Sequence, residues 1–234
     1  MIKNFESNKD LRNFLRDKQV KLIGGNTEGK CYLGKDNIVY KTIGVEGFEP
    51  TEYEVDKIIT EDKVKNDSFA FPKDLYLINK ELTMYSADYA GEDMLSGRNL
   101  CGTKLIMKLD FKNFSKAYKK MLKNVYKLSR ENIIISDLPT NIVYDGKKFT
   151  AVDTCGYEKV KYDPTQKNLE SYNFAIETVF RLCYDDFLDD QLTFNDFDID
   201  GYLKRVENKL TKREKLYRNK FQSEKNKTIC KKSK

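Results

Sequence analysis

The hydrophobic pattern of this 234-residue chain is mainly strand-like before about residue 90 and mainly helical after it, and that division restricts what the chain can fold into. Before it, short apolar runs are broken by glycine. "VKLIGGNTEGKCYLGKDNIVYKTIG" reads as three strands, Val20 to Ile23, Cys31 to Leu33 and Ile38 to Thr42, bent at Gly24, Gly25, Gly29 and the turn "GKDN". "FPKDLYLIN" and "ELTMYSADY" add two more strands, joined by the polar "NKE". Leu11, Phe14 and Leu15 share one face of a helix over Asn8 to Asp17. Pro50 at a first-turn position, followed by Glu52 and Glu54, predicts a second helix to about Thr60, with Val55, Ile58 and Ile59 buried. Beyond residue 90 the period becomes 3.6: "FKNFSKAYKKMLKNVYKLSREN" aligns Phe114, Tyr118, Met121, Leu122, Val125 and Leu128. A strand-rich first part and a helix-rich second part follow.

The chain contains no histidine, which excludes a Ser-His-Asp triad, a Cys-His pair and His-ligated zinc. Its five cysteines are scattered without a CxxC pair, so reduced thiols are expected. No run approaches the length of a membrane span, and the charged "MIKNFESNKDLRNFLRDK" is no secretory leader, so a cytoplasmic protein is expected. Charge is divided along the sequence. From Lys204 onward 13 Lys and Arg oppose three Glu, a net of +10, while the preceding residues carry 30 basic against 34 acidic side chains, a net of −4. Such a tail suits an acidic partner, anionic lipid or nucleic acid, or is a solvated last helix. It lacks the aromatic interleaving of RNA binders, which argues against nucleic acid.

Chemistry concentrates in "IISDLPTNIVYDGKKFTAVDTCG", Ile134 to Gly156. The run alternates on both sides of Asp145-Gly146, a pair that favours a hairpin turn. Asn141 then opens one strand and Asp153 closes its partner, so the two share one mouth, with Asp137 on the loop leading in. Two oxygen ligands so placed suit Mg²⁺, which needs few protein ligands when phosphates supply the rest. The same residues also read as a turn Asp, an Asn cap and a strand-end Asp without an ion. Two other acidic stretches stand out. "DFDIDGYLKRVE", Asp196 to Glu207, satisfies a calcium-loop pattern and equally a helix capped by Asp198 or Asp200. "YDDFLDDQ" carries Asp185, Asp186, Asp189 and Asp190, suited to a cationic substrate or to solvating a helix end.

In this order the pieces resemble the protein-kinase-like superfamily over most of the chain. The resemblance implies an α+β, bilobal fold: an antiparallel five-stranded N-lobe with one helix over 1–88, a shortened, mainly helical C-lobe over 89–205, and a basic C-terminal helix or tail over 206–234. By the same resemblance Asp137 is similar to the catalytic Asp, and Asn141 and Asp153 to the metal ligands. "GGNTEG" resembles the glycine-rich loop, with Gly24 and Gly29 outermost, Gly25 beside them and Asn26 at a middle position. Lys41 resembles the lysine that grips the α- and β-phosphates, with Glu54 or Glu52 as its ion-pair partner. Tyr85 and Ala87 lie in "LTMYSADYAGEDML", which is similar to the strand and hinge that line the family's adenine pocket.

The sequence departs from the family at Ile135 and Ser136, where His and Arg are usual. Three residues instead of four separate Asp137 from Asn141, "DTCG" stands for DFG, and no APE-like element follows. The implied activity is transfer of the γ-phosphate of ATP, with Mg²⁺, to a protein Ser or Thr hydroxyl. The alternatives are a small-molecule kinase resembling aminoglycoside or choline phosphotransferases, and a nucleotide-binding pseudokinase acting as an interaction module.

Overall fold

The computed structural model describes residues 1–26, 29–44, 53–94, 109–184, 197–220 and 223. The chain forms a mixed α/β structure around one six-stranded, mostly antiparallel sheet, in the order β1-β5-β6-β4-β3-β2. The strands are β1 (Ile2–Phe5), β2 (Lys21–Asn26), β3 (Gly29–Leu33), β4 (Ile38–Thr42), β5 (Asp74–Ile78) and β6 (Glu81–Asp88). Five of these match the expected strands. The sixth, β1, was not foreseen. It runs parallel to β5, with Ile2 opposite Leu75 and Phe5 opposite Ile78, and it is tied down by the Lys3–Asp74 ion pair at 2.7 Å. Ile2, Lys3, Asn4 and Phe5 place two polar residues side by side between two apolar ones, a run without the alternation that marks a strand.

Helix α1 (Asn8–Asp17) starts where Ser7 caps the Asp10 amide at 3.3 Å. Its buried Leu11 and Leu15 pack on one sheet face against Tyr40, Tyr76 and Met84. The opposite face holds Leu75, Leu77, Tyr85 and Ala87. A bulge in β6 opposite Tyr76 and Leu77 shifts the register by one residue, which turns Leu82 onto that second face.

The helix expected from Pro50 to Thr60 is absent as such from the described residues: a single 3₁₀ turn, Val55–Lys57, precedes an extended Ile58. Ile58 and Ile59 are buried as expected, but they reach the core from extended chain. Tertiary burial, more than helical period, fixes them there.

In the second part α2 (Phe111–Arg130) begins at an Asp110 cap and buries Phe114, Tyr118, Met121, Val125 and Leu128. Helix α3 (Thr165–Tyr184) packs on it, with the Tyr118 and Tyr172 rings stacked at 5.1 Å. Helix α4 (Ile199–Lys209) inserts Ile199, Tyr202, Leu203 and Val206 into the same core. It crosses the boundary drawn between residues 205 and 206. Asp198 caps it through the Gly201 amide at 3.0 Å, while Asp200 pairs with Lys119 and Glu207 with Arg218. These three carboxylates serve a capped helix and its ion pairs, and Asp196, the first position of the calcium-loop pattern, lies outside the described residues. Residues 212–220 form α5. The acidic residues Asp185 to Asp190 lie outside the described residues.

Two short antiparallel pairs complete this part: β7 (Ile133–Ile134) with β10 (Glu158–Lys159), and the hairpin β8 (Ile142–Tyr144) with β9 (Phe149–Ala151). The hairpin loop spans Asp145 to Lys148, with the Asp145 carboxylate accepting the Lys147 and Lys148 amides at 2.8 Å. Phe114 fixes the hairpin to α2. It is fully buried and meets Tyr144 and Phe149 edge-on at 5.3 and 5.1 Å. Phe114→Ala is expected to lower the unfolding free energy by about 3–5 kcal/mol in urea titration. A loss below about 1 kcal/mol would mean that this junction does not hold the hairpin.

Candidate functional site

Three strands bring one row of side chains together. Cys31 on β3, Lys41 on β4 and Tyr85 on β6 are direct cross-strand neighbours, so their side chains share one sheet face. Lys41 is only 7% exposed, and an ammonium so far from water requires a carboxylate. Asp153, 112 residues away in sequence, supplies it: Lys41 Nζ pairs with one carboxylate oxygen, and the Tyr85 hydroxyl donates to the other at 2.9 Å. Burial raises the Tyr85 pKa, and the Asp153 carboxylate pushes it the same way, so the phenol stays a donor. Burial likewise raises the Cys31 and Cys155 thiols, which keeps both protonated beside the pair.

The hairpin mouth forms as the sequence implied. The Val152 amide donates to the Asn141 carbonyl at 2.8 Å, which sets Asn141 beside the segment leading to Asp153. The hairpin is held under the sheet by Ala70 N to Ala151 O at 2.9 Å and by Thr154 Oγ1 to Ala70 O at 3.0 Å. Asp153 and Asp137 both take left-handed backbone conformations, with φ of 59° and 49°. Each stands just before a 3₁₀ turn without capping it through its side chain. The Asp137 carboxylate is exposed and has no partner among the described residues. The Asn141 side-chain amide also has none.

Lys41, Tyr85, Asn141 and Asp153 line one cavity of about 350 Å³. Ile23 and Val39 from the sheet and Val143 and Val152 from the hairpin give it aliphatic walls, and Gly25, Gly29 and Ala87 border it. This shape fits a flat apolar ring at one end and charged groups at the lysine. Gly29 is sterically required: a Cβ there would fall 1.8 Å from the Thr42 carbonyl oxygen. At Gly24, in contrast, a Cβ would meet nothing. Asn26 pairs with Gly29 in the β2–β3 ladder.

One expected partner is displaced. Glu54 points to solvent and pairs with Lys57 at 2.7 Å, away from the cavity. Glu54 stands just before a single 3₁₀ turn among the described residues, and Asp153 and Tyr85 hold Lys41. Glu52 lies outside the described residues.

Sequence reasoning missed the support beneath Asp137. Asn168 on α3 is fully buried. It accepts the Ile135 amide at 2.8 Å and donates to the Ile133 carbonyl at 2.8 Å and to Ser129 Oγ at 3.0 Å. It thus fixes the chain just before Asp137 to the end of α2. Ser136, where an Arg is usual in the family resembled, donates to the Gly156 carbonyl at 3.1 Å and joins this loop to the turn after Asp153. Neither contact leaves a local sequence signal, since each depends on elements over 19 residues apart. Tyr157 lies below both loops, fully buried. Burial and then the Asp153 and Asp137 charges push its pKa up, and its hydroxyl has no partner among the described residues.

For a divalent ion the available donors are the Asp153 carboxylate and the unpartnered Asn141 amide oxygen. They are hard ligands that suit Mg²⁺ if phosphate and water complete its shell. Among the described residues no group of three His, Cys, Asp or Glu could hold a metal unaided. No helix of the described residues is long and apolar enough to cross a membrane.

No family model and no curated protein matches the chain. Among solved structures it is similar to that described as "Structure of the Cydia pomonella Granulovirus kinase, PK-1", at 15% identity and a TM-score of 0.47, over 79% of this chain and 81% of that one. A likeness at this level leaves the functional reading to the site itself.

Breaking the buried pair from either side strands a charge. Lys41→Met and Asp153→Asn are each expected to destabilise by about 2–4 kcal/mol, and the double variant by clearly less than their sum. Additive losses in urea titration would show that the two charges are not coupled.

Proposed function

We propose that this chain is an ATP- and Mg²⁺-dependent phosphotransferase of two-lobed, protein-kinase-like build, moving the γ-phosphate to a hydroxyl, with protein Ser and Thr preferred as acceptors. The observation that carries this reading is the buried Lys41–Asp153–Tyr85 group lining a cavity with aliphatic walls, which Asn141 also lines, with an unpartnered Asp137 on the adjoining loop.

Each residue then has a task in a reaction that consists mostly of positioning and charge neutralisation. Ile23, Val39, Val143 and Val152 would clasp the base. Lys41 would hold the α- and β-phosphate oxygens. The close strand approach at Gly29 keeps the backbone near the phosphates. Asn141 and Asp153 would hold Mg²⁺, which when bound neutralises the phosphate oxygens. Asp137 would orient the acceptor hydroxyl and take its proton as the oxygen attacks phosphorus and ADP leaves. Asn168 and Ser136 keep Asp137 in place without the usual His and Arg.

A second reading, nucleotide binding without transfer, is favoured by one feature: Lys41 and Asp153 are paired with each other, although transfer needs both turned to phosphate and metal. The two readings separate in one experiment. With γ-labelled ATP and Mg²⁺, the wild type is expected to label itself, a general protein acceptor or a small alcohol. Asp137→Ala should lose about a hundredfold or more in rate while retaining ATP-induced thermal stabilisation. Stabilisation without any phosphate transfer in the wild type would leave only the binding module. Absence of stabilisation by ATP would overturn both.

A further inference from the structure

Helix α5 is anchored by one side only. Its start is a reciprocal cap: Glu214 accepts the Thr211 amide at 2.7 Å, and the Glu214 amide donates to Thr211 Oγ1 at 3.2 Å. Arg218 fastens the helix to the body, lying over the Phe111 ring at 3.6 Å and pairing with Glu207 at 2.9 Å. Glu214, Lys215 and Arg218 are accordingly half-buried. The opposite stripe, at spacings of one, four, five and eight residues from Lys212, holds Lys212, Arg213, Leu216, Tyr217 and Lys220, all exposed. It includes no carboxylate. Lys212, Arg213 and Lys220 have no ion-pair partner among the described residues, and Arg213 rests over the Tyr217 ring at 5.9 Å. Leu216 is 72% exposed and Tyr217 53%, so two large apolar side chains stand in water between three cations.

A solvated helix face does not need apolar side chains at its centre, and the docked side already accounts for the stability of α5. A stripe of cations flanking Leu and Tyr is the composition of a helix that lies in a bilayer interface, with cations on the headgroups and apolar side chains at the acyl boundary. The charge division agrees: the basic residues are gathered here, and the preceding part of the sequence is acidic, so an anionic surface would attract this end and repel the rest. An RNA or an acidic peptide would satisfy the cations but offers nothing to Leu216. We infer that the free face of α5, made by Lys212, Arg213, Leu216, Tyr217 and Lys220, docks the protein onto anionic phospholipid surfaces.

These 234 residues contain no Trp, so Tyr217→Trp introduces a single fluorescent reporter on this face. Its emission should move to the blue with phosphatidylcholine vesicles containing phosphatidylserine, and stay unchanged with phosphatidylcholine alone. In flotation assays the wild type should bind the anionic vesicles. The triple variant K212Q/R213Q/K220Q should bind about a hundredfold more weakly, at about fivefold per cation. Leu216→Ser should weaken binding several-fold without removing any charge. The inference is overturned if the wild type does not float with anionic vesicles. It is overturned equally if Leu216→Ser binds undiminished and the emission does not shift, or if a single-stranded RNA or a polyglutamate peptide binds more tightly than the vesicles.

Discussion

A lysine withdrawn from water inside a sheet is the constraint on which the rest of the structure depends. Lys41 sits on β4 between two other strands, where solvent cannot balance its charge. The compensating carboxylate must come from Asp153, far along the sequence, so the sheet and the β8–β9 hairpin have to be brought together. Backbone bonds between Ala70 and Ala151 and the Thr154 hydroxyl on Ala70 fix that approach. Tyr85, the next neighbour across the sheet, completes the arrangement with a hydrogen bond to the second Asp153 oxygen. The cavity is the space that remains between these fixed parts.

The loop carrying Asp137 depends on a different device. A neutral, fully buried Asn168 satisfies three polar groups at once, where leaving any one unpaired would cost about 1–3 kcal/mol. With the Ser136 contact to Gly156, it holds Asp137 and Asp153 in left-handed backbone conformations that a freer loop would abandon. Local strain at the two carboxylates is thus maintained by hydrogen bonds that lie outside the cavity.

Much of this was legible in order but not in contact. The strands over residues 20–42 and 74–88 followed from alternation and glycine bends, and α1 and α2 from apolar faces. The shared mouth of Asn141 and Asp153 followed from a hairpin whose turn chemistry is local. Glu54 stands away from Lys41 because, although the Pro50 and Glu54 signals describe a helix start, burial of Ile58 and Ile59 draws the chain after Val55–Lys57 into an extended path. Strand β1 and Asn168 left no mark that a period or a motif could register, since both are justified by partners about 35 to 70 residues distant.

The sequence by itself determined five of the sheet strands, helices α1 and α2, the absence of histidine chemistry and the division of charge, because each depends on nearest neighbours or on composition. Tertiary structure alone decided which carboxylate meets Lys41, which side chain supports Asp137, and which face of α5 remains free. Those outcomes depend on desolvation and hydrogen-bond satisfaction among residues far apart in the chain, which exist only once the core has closed.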